Sequence, residues 1–266
     1  MSFCLTVRLG FAQIPQYQQG ALYPGNFLFL PKSGPAQAVT SNAALLGLNS
    51  ESLLGVYSER RFMMKELSFH QVLFVLAADK SSFAAVLESF GKGDFSENAA
   101  RVSYGRNLGK LSLGIQFDYL RRAVVGFGPA SKLGTSIGLN WQASERLYTG
   151  IEISNPFPQK NQSSGTVLLP FGIDWYLNLY VSDQAGMGLY IDKSFLHPVT
   201  ICFALLYQPT EKIKCRAGII TEGFSPWLSL EYELKKFRLQ IQSTYHNQLG
   251  ISPGISLVYS LKKKSK

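Results

Sequence analysis

Residues 224–262 read FSPWLSLEYELKKFRLQIQSTYHNQLGISPGISLVYSLK, and this stretch decides the fold. In its first run Leu228, Leu230, Tyr232 and Leu234 alternate with Ser229, Glu231 and Glu233. In the second, Phe237, Leu239 and Ile241 alternate with Arg238, Gln240 and Gln242, and Tyr245 continues the apolar face. In the third, Ile251, Ile255, Leu257, Tyr259 and Leu261 alternate with Ser252, Gly254, Ser256 and Ser260. Period-two alternation places one face of each strand in an apolar medium and the other in a polar one.

Working outward, the same pattern begins near Leu53 and does not stop. It predicts strands over 52–61, 67–78, 82–91, 96–106, 110–121, 131–142, 146–155, 166–180, 185–194, 198–207, 212–221, 225–234, 237–246 and 252–262. About fourteen strands result, with twelve as the alternative count because Pro170 lies inside 166–180. Short turns such as Asn107-Leu108-Gly109 and Lys235-Lys236 join them, with longer loops expected at Arg121–Ala130 and Asn155–Ser164.

Composition agrees. Charged residues are 16% of the 266, against a typical quarter, while hydrophobic residues at 46% and a mean hydropathy of +0.04 are ordinary. Charge has been replaced by Gly, Ser, Gln, Asn and aromatics, which suits a wall with lipid outside and small polar residues inside. No apolar run approaches the ~18–20 residues of a membrane helix. A membrane-spanning chain of this kind must then be a closed barrel, because only helices and barrels satisfy their backbone in lipid. The fold class is therefore all-β, a transmembrane antiparallel β-barrel.

Residues 1–12 read as the remnant of an export signal, and 13–50, punctuated by Pro and Gly, as an N-terminal plug or arm, with a short helix over Ala43–Leu48. The barrel follows over 51–262, and 263–266 form a basic tail. The net charge of +9 is dispersed apart from Lys262, Lys263, Lys264 and Lys266, which argues against a nucleic-acid partner. Cys4, Cys202 and Cys215 lack metal spacing, and Cys202 and Cys215 read as small outward-facing residues. His70, His197 and His246 are scattered, and no phosphate loop precedes a helix. The sequence thus predicts no enzyme, no metal and no cofactor. Alternation directs Asp118, Glu152, Asp192, Glu231, Glu233 and Arg238 into the lumen, where they pair, bind a plug or line a passage.

Short pieces of the chain resemble the PorV/PorQ-type outer-membrane proteins of Bacteroidota, relatives of the FadL channels for hydrophobic compounds. Asn26-Phe27-Leu28-Phe29-Leu30-Pro31-Lys32-Ser33 is similar to the family's opening, and Ser41-Asn42-Ala43-Ala44-Leu45 to its Asn-Pro-Ala segment, with Ala43 in place of Pro. Val102-Ser103-Tyr104 with Leu113-Gly114-Ile115-Gln116-Phe117 resembles its strand pair, and Leu249-Gly250-Ile251-Ser252-Pro253 its last turn. The resemblance implies a Gram-negative, Bacteroidota-like outer membrane and N-terminal residues in the lumen. It also implies a scaffold or accessory role near the type IX secretion system, with a larger translocon or secreted cargo as partner. A FadL-like channel for a hydrophobic ligand is the alternative.

Overall fold

The computed structural model describes residues 42–157, 169–194 and 198–263, apart from the side chains of 262 and 263. The leader expected at 1–12, most of the plug or arm at 13–50, and the last residues of the tail lie outside them. The described chain forms a closed barrel of fourteen antiparallel strands in which each strand pairs with its sequence neighbours and β1 pairs with β14. The strands are β1 (Glu51–Arg60), β2 (Ser68–Ala77), β3 (Ser81–Phe90), β4 (Phe95–Asn107), β5 (Leu111–Val124), β6 (Phe127–Gln142) and β7 (Leu147–Ser154). They continue with β8 (Gly172–Tyr180), β9 (Ala185–Ser194), β10 (Thr200–Thr210), β11 (Ile213–Ile220), β12 (Ser225–Leu234), β13 (Phe237–His246) and β14 (Gly250–Lys263). A closed sheet has no edge, so every strand satisfies its backbone on both sides.

The outward positions carry the apolar belt. Leu113, Phe117 and Tyr119 on β5, Ile137 and Trp141 on β6, Phe203 and Leu205 on β10, and Phe237, Leu239 and Ile241 on β13 are all exposed. In water that exposure would be prohibitive, since it far exceeds the few hundred Å² of contiguous apolar surface that soluble monomers show. Lipid is the solvent this face fits, and the barrel spans a membrane. The start of β1 and the end of β14 lie at one rim, which carries short turns such as Leu108–Lys110 and Lys235-Lys236. Seven residues, 61–67, join β1 to β2 at the other rim, and the β7–β8 connection over 155–171 is the longest.

Two expectations change here. Arg121–Ala130 is a hairpin rather than a long loop: β5 runs to Val124, β6 starts at Phe127, and Gly126 at φ +83 makes the tight turn. β4 follows β5 as far as Val124, whereas β6 runs past β7, whose pairing begins at Ser136; at the tip Val124, Val125 and Phe127 do not alternate with polar residues, and the pattern fades. Cys202 points inward and is fully buried, while Cys215 lies opposite Tyr207 on the outer face. Both faces of β10 are apolar, with Cys202, Ala204 and Leu206 inside and Ile201, Phe203 and Leu205 outside, so small size did not mark the lipid side. Pro170 lies outside β8, which leaves fourteen strands intact.

Candidate functional site

The lumen is where this wall can do chemistry, and a segment of the chain sits inside it. Ala43–Leu48 forms a 3-10 helix whose N-cap, Asn42, accepts from the Ala44 N–H through its side chain at 2.8 Å. The Asn42 amide also donates to the Ile151 carbonyl at 3.1 Å, and the Ala43 N–H donates to Glu152 Oε2 at 3.2 Å. The segment is thereby tied to β7.

Its seat is a strip of glycines. Gly105, Gly114 and Gly138 stand directly opposite one another on β4, β5 and β6. A Cβ on Gly114 would fall on the Ala43 and Ala44 main chain, and one on Gly138 on the Asn42 side chain. A Cβ on Gly105 would lie 2.7 Å from the Gly47 nitrogen, and one on Gly47 2.6 Å from the Arg106 carbonyl carbon. Glycines on the wall, joined by Gly47 on the segment, let the two backbones approach closely. The Leu46 Cβ also lies over Gly105, and from the seat Leu45 and Leu46 reach different walls. Leu45 packs with Tyr176, Tyr180, Tyr190 and Trp227, and Leu46 with Leu53, Leu73, Val75 and Val86.

Between these apolar patches run two polar ladders. The first crosses β2 to β5. Gln71 Nε2 donates to Glu88 Oε1 at 2.7 Å, and Arg101 bridges Glu88 at 2.8 Å and Asp118 at 3.2 Å. Gln116 then donates to Asp118 at 3.0 Å and accepts from the Ser103 hydroxyl at 3.0 Å. The second crosses β11 to β13 and reaches β1. Glu231 is shared by Lys214 at 3.3 Å and Arg216 at 2.9 Å, and Arg216 is fully buried. Gln240 Nε2 donates to Ser229 Oγ and Gln242 Oε1, and Gln242 Nε2 donates to the Tyr57 hydroxyl at 2.7 Å. That hydroxyl donates in turn to Glu59 Oε2 at 2.5 Å. The Gln242–Tyr57 bond spans β14 over Gly254, whose missing side chain leaves room for the tyrosine, and so fastens the seam where the barrel closes.

The six residues singled out from sequence therefore fall into five places. Asp118 belongs to the first ladder and Glu231 to the second. Glu152 holds the seated segment, and Asp192 stands opposite Asp174 on β8. Glu233 and Arg238 are cross-strand partners near the short-turn rim, and Arg238 also lies 3.3 Å from Glu51. Alternation missed Glu88, Arg101, Lys214 and Arg216, the basic and acidic halves of the ladders, and it missed Asp174. Each shares a face with a residue already singled out, so the strand pattern contained the signal. The glycine seat was also readable: Gly105 and Gly114 each lie three residues outside the Leu108–Leu111 pair that closes the turn, and so stand opposite one another.

The class that the fold defines is a closed, fourteen-stranded antiparallel transmembrane barrel, with a partly apolar, partly charged lumen and a chain segment seated in it. No protein-family model matches the sequence, and no curated protein matches it. Solved structures share its fold. The monoaromatic hydrocarbon channel CymD aligns with a TM-score of 0.66 at 14% identity, over 86% of this chain and 94% of CymD. The P. putida toluene transporter TodX gives 0.63 at 11% identity, over 86% and 94%. A Pseudomonas aeruginosa FadL homologue gives 0.60 at 9% identity, over 85% and 94%.

Proposed function

We propose that this protein is an outer-membrane channel of a Gram-negative bacterium that admits small hydrophobic molecules. The observation that carries the reading is the pair of apolar tracks on the inner wall. A water-filled porin has a polar interior, whereas Tyr176, Tyr190, Leu206, Ile220 and Trp227 form one continuous inward patch here. Leu53, Leu73, Val75 and Val86 form another. The seated Leu45 and Leu46 cover these two patches, and an apolar solute that displaces the segment meets apolar surface in its place. The neighbours by fold include a hydrocarbon channel and a toluene transporter, which supports the same reading. The accessory role in type IX secretion has the short sequence resemblances behind it and nothing further. Within this reading Asn42–Leu48 is the inner end of a plug, and Glu152 is the residue that holds it.

Trp227 makes the test direct, because Trp141 and Trp175 face outward and Trp227 lines the inner track. With both outward tryptophans replaced by Phe, a bromobenzene titration of the detergent-solubilised barrel is expected to quench Trp227 saturably. Quenching that rises only linearly, as for free tryptophan in the same micelles, would refute a binding track in the lumen.

A further inference from the structure

Charge is spread unevenly around the short-turn rim. The β2–β3 turn holds Asp79 beside Lys80, the β6–β7 turn holds Glu145 beside Arg146, and the β4–β5 turn holds Lys110. The β8–β9 turn carries an acid, Asp183, and no base. The sector from β10 to β14 differs. Lys212 stands beside Glu211 in the β10–β11 turn, Lys235 and Lys236 make up the whole β12–β13 turn, and β14 reaches this rim at Lys262 and Lys263. The Glu233 N–H donates to the Lys212 carbonyl and the Ser260 N–H to the Lys236 carbonyl, both at 2.8 Å. The two turns and the end of β14 therefore form one stretch of rim.

The acids nearest to it are taken up inside. Glu231 binds Lys214 and Arg216, Glu51 binds Arg238, and Glu233 stands across from Arg238. Lys212, Lys235 and Lys236 are exposed, and their ammonium groups have no hydrogen bond or ion pair among the described residues. Lys235 is also held at φ +51, in the left-handed region. Hairpin turns fill that conformation with Gly, Asn or Asp, which adopt it more easily. The turn thus gives up stability for a lysine without a polar partner, and strain of this kind gathers where a residue serves a ligand.

Outward-facing rings lie on the membrane side of these tips. Tyr232 stands opposite Ile213, the residue after Lys212, and Phe237 follows Lys236. Both are exposed, and the Phe237 ring packs against Tyr259 with centroids 4.9 Å apart. Aromatic rings at strand ends sit at the level of lipid headgroups. The short turns of such barrels face the periplasm. The three lysines then stand at the phosphates of the periplasm-facing leaflet, where a basic cluster is drawn to negative lipid.

We propose that Lys212, Lys235 and Lys236 bind the headgroup of an anionic phospholipid whose upper acyl chains lie against Tyr232, Phe237 and Tyr259. The ammonium groups donate to the phosphate oxygens. The inference rests on the membrane-spanning barrel and is independent of what crosses the lumen.

The test is native mass spectrometry of the folded barrel in neutral detergent, titrated with phosphatidylglycerol and with phosphatidylcholine of the same chains. Phosphatidylglycerol is expected to bind about tenfold more tightly. Lys212→Gln, Lys235→Asn and Lys236→Gln together are expected to remove that preference, whereas Lys80→Gln with Lys110→Gln keeps it. If the triple variant fails to fold, as judged by its heat-modifiable gel mobility, Lys235→Asn alone replaces it. Asparagine is at ease at φ +51, so that hairpin folds, and a loss of about fivefold is expected. No preference in the wild type, or an equal preference in the variant, would overturn the inference. Displacement of the lipid by equimolar inorganic phosphate would overturn it too, in favour of a free anion.

Discussion

Gly114→Ala puts the seated segment under a defined load. The new Cβ would fall on the main chain of Ala43 and Ala44, which cannot rotate away. Overpacking of this kind costs about 1–3 kcal/mol. Against it stand Leu45 and Leu46, both fully buried, whose burial is worth about 3–6 kcal/mol for the pair. The leucines win, so a single alanine shifts the 3-10 helix and loosens it without expelling it. Hydrogen exchange at the amides of Leu45–Asn49 is then expected to quicken by about 5- to 150-fold, the equivalent of that load. The barrel amides are expected to keep their protection, because β5 has ordinary strand geometry at Gly114 and the load falls on the inner face alone. Gly105→Ala combined with Gly114→Ala about doubles the load and brings it level with the leucines. The double variant is expected to release the segment. Unchanged exchange in both variants would refute the glycine seat.

Ile241 is half-exposed at mid-height on β13, and Ile241→Arg is expected to destabilise the folded barrel in bilayers by about 2–4 kcal/mol. Urea titration in liposomes measures this, and a change below 0.5 kcal/mol, the scale of a neutral surface substitution, would contradict a lipid-facing position. Glu231→Gln leaves Arg216 and Lys214 without their shared acid, a loss on the order of 3–5 kcal/mol for a buried pair broken on one side. The same titration reads it. In a Cys4→Ser background, a nitroxide at Cys215 is expected to be relaxed by oxygen, which concentrates in lipid, more than by a water-soluble nickel chelate. Cys202 is expected to resist labelling until the barrel is unfolded.

How much of this was legible in the sequence depends on what alternation can carry. It separates the two faces of a strand, and Leu113, Ile115 and Phe117 against Ser112, Gly114 and Gln116 do so without ambiguity. Fourteen strands follow from it. It fails where both faces meet the same medium. On β10 the lumen is apolar, so Cys202 could not be told from its lipid-facing neighbours. It also fails at the β5–β6 tip, where Arg121-Arg122 and Val124-Val125 break the period and Gly126, Gly128 and Pro129 look like a loop, so a hairpin was missed. Face alone also says nothing of partners. Asp118 was visible as an inward acid, but its partner Arg101 depends on the register set by the Asn107–Lys110 turn, and the Arg101–Glu88 contact on the turn before it. The seat of the 3-10 helix and the inward carboxylates that continue its row are the same kind of fact: three registers must be right before Gly138, Glu152, Asp174 and Asp192 line up. Asn42 was not singled out in the sequence; its role, capping the 3-10 helix and tying it to β7, depends on that helix lying against the wall.

The central claim is that the lumen is a path for apolar solutes, and permeation tests it most directly. Proteoliposomes holding the barrel are expected to take up labelled toluene-sized hydrocarbons bound to an external carrier protein faster than empty liposomes do, while labelled sucrose stays outside. Sucrose entry at the rate of a water-filled porin, or hydrocarbon uptake no faster than through lipid alone, would contradict it.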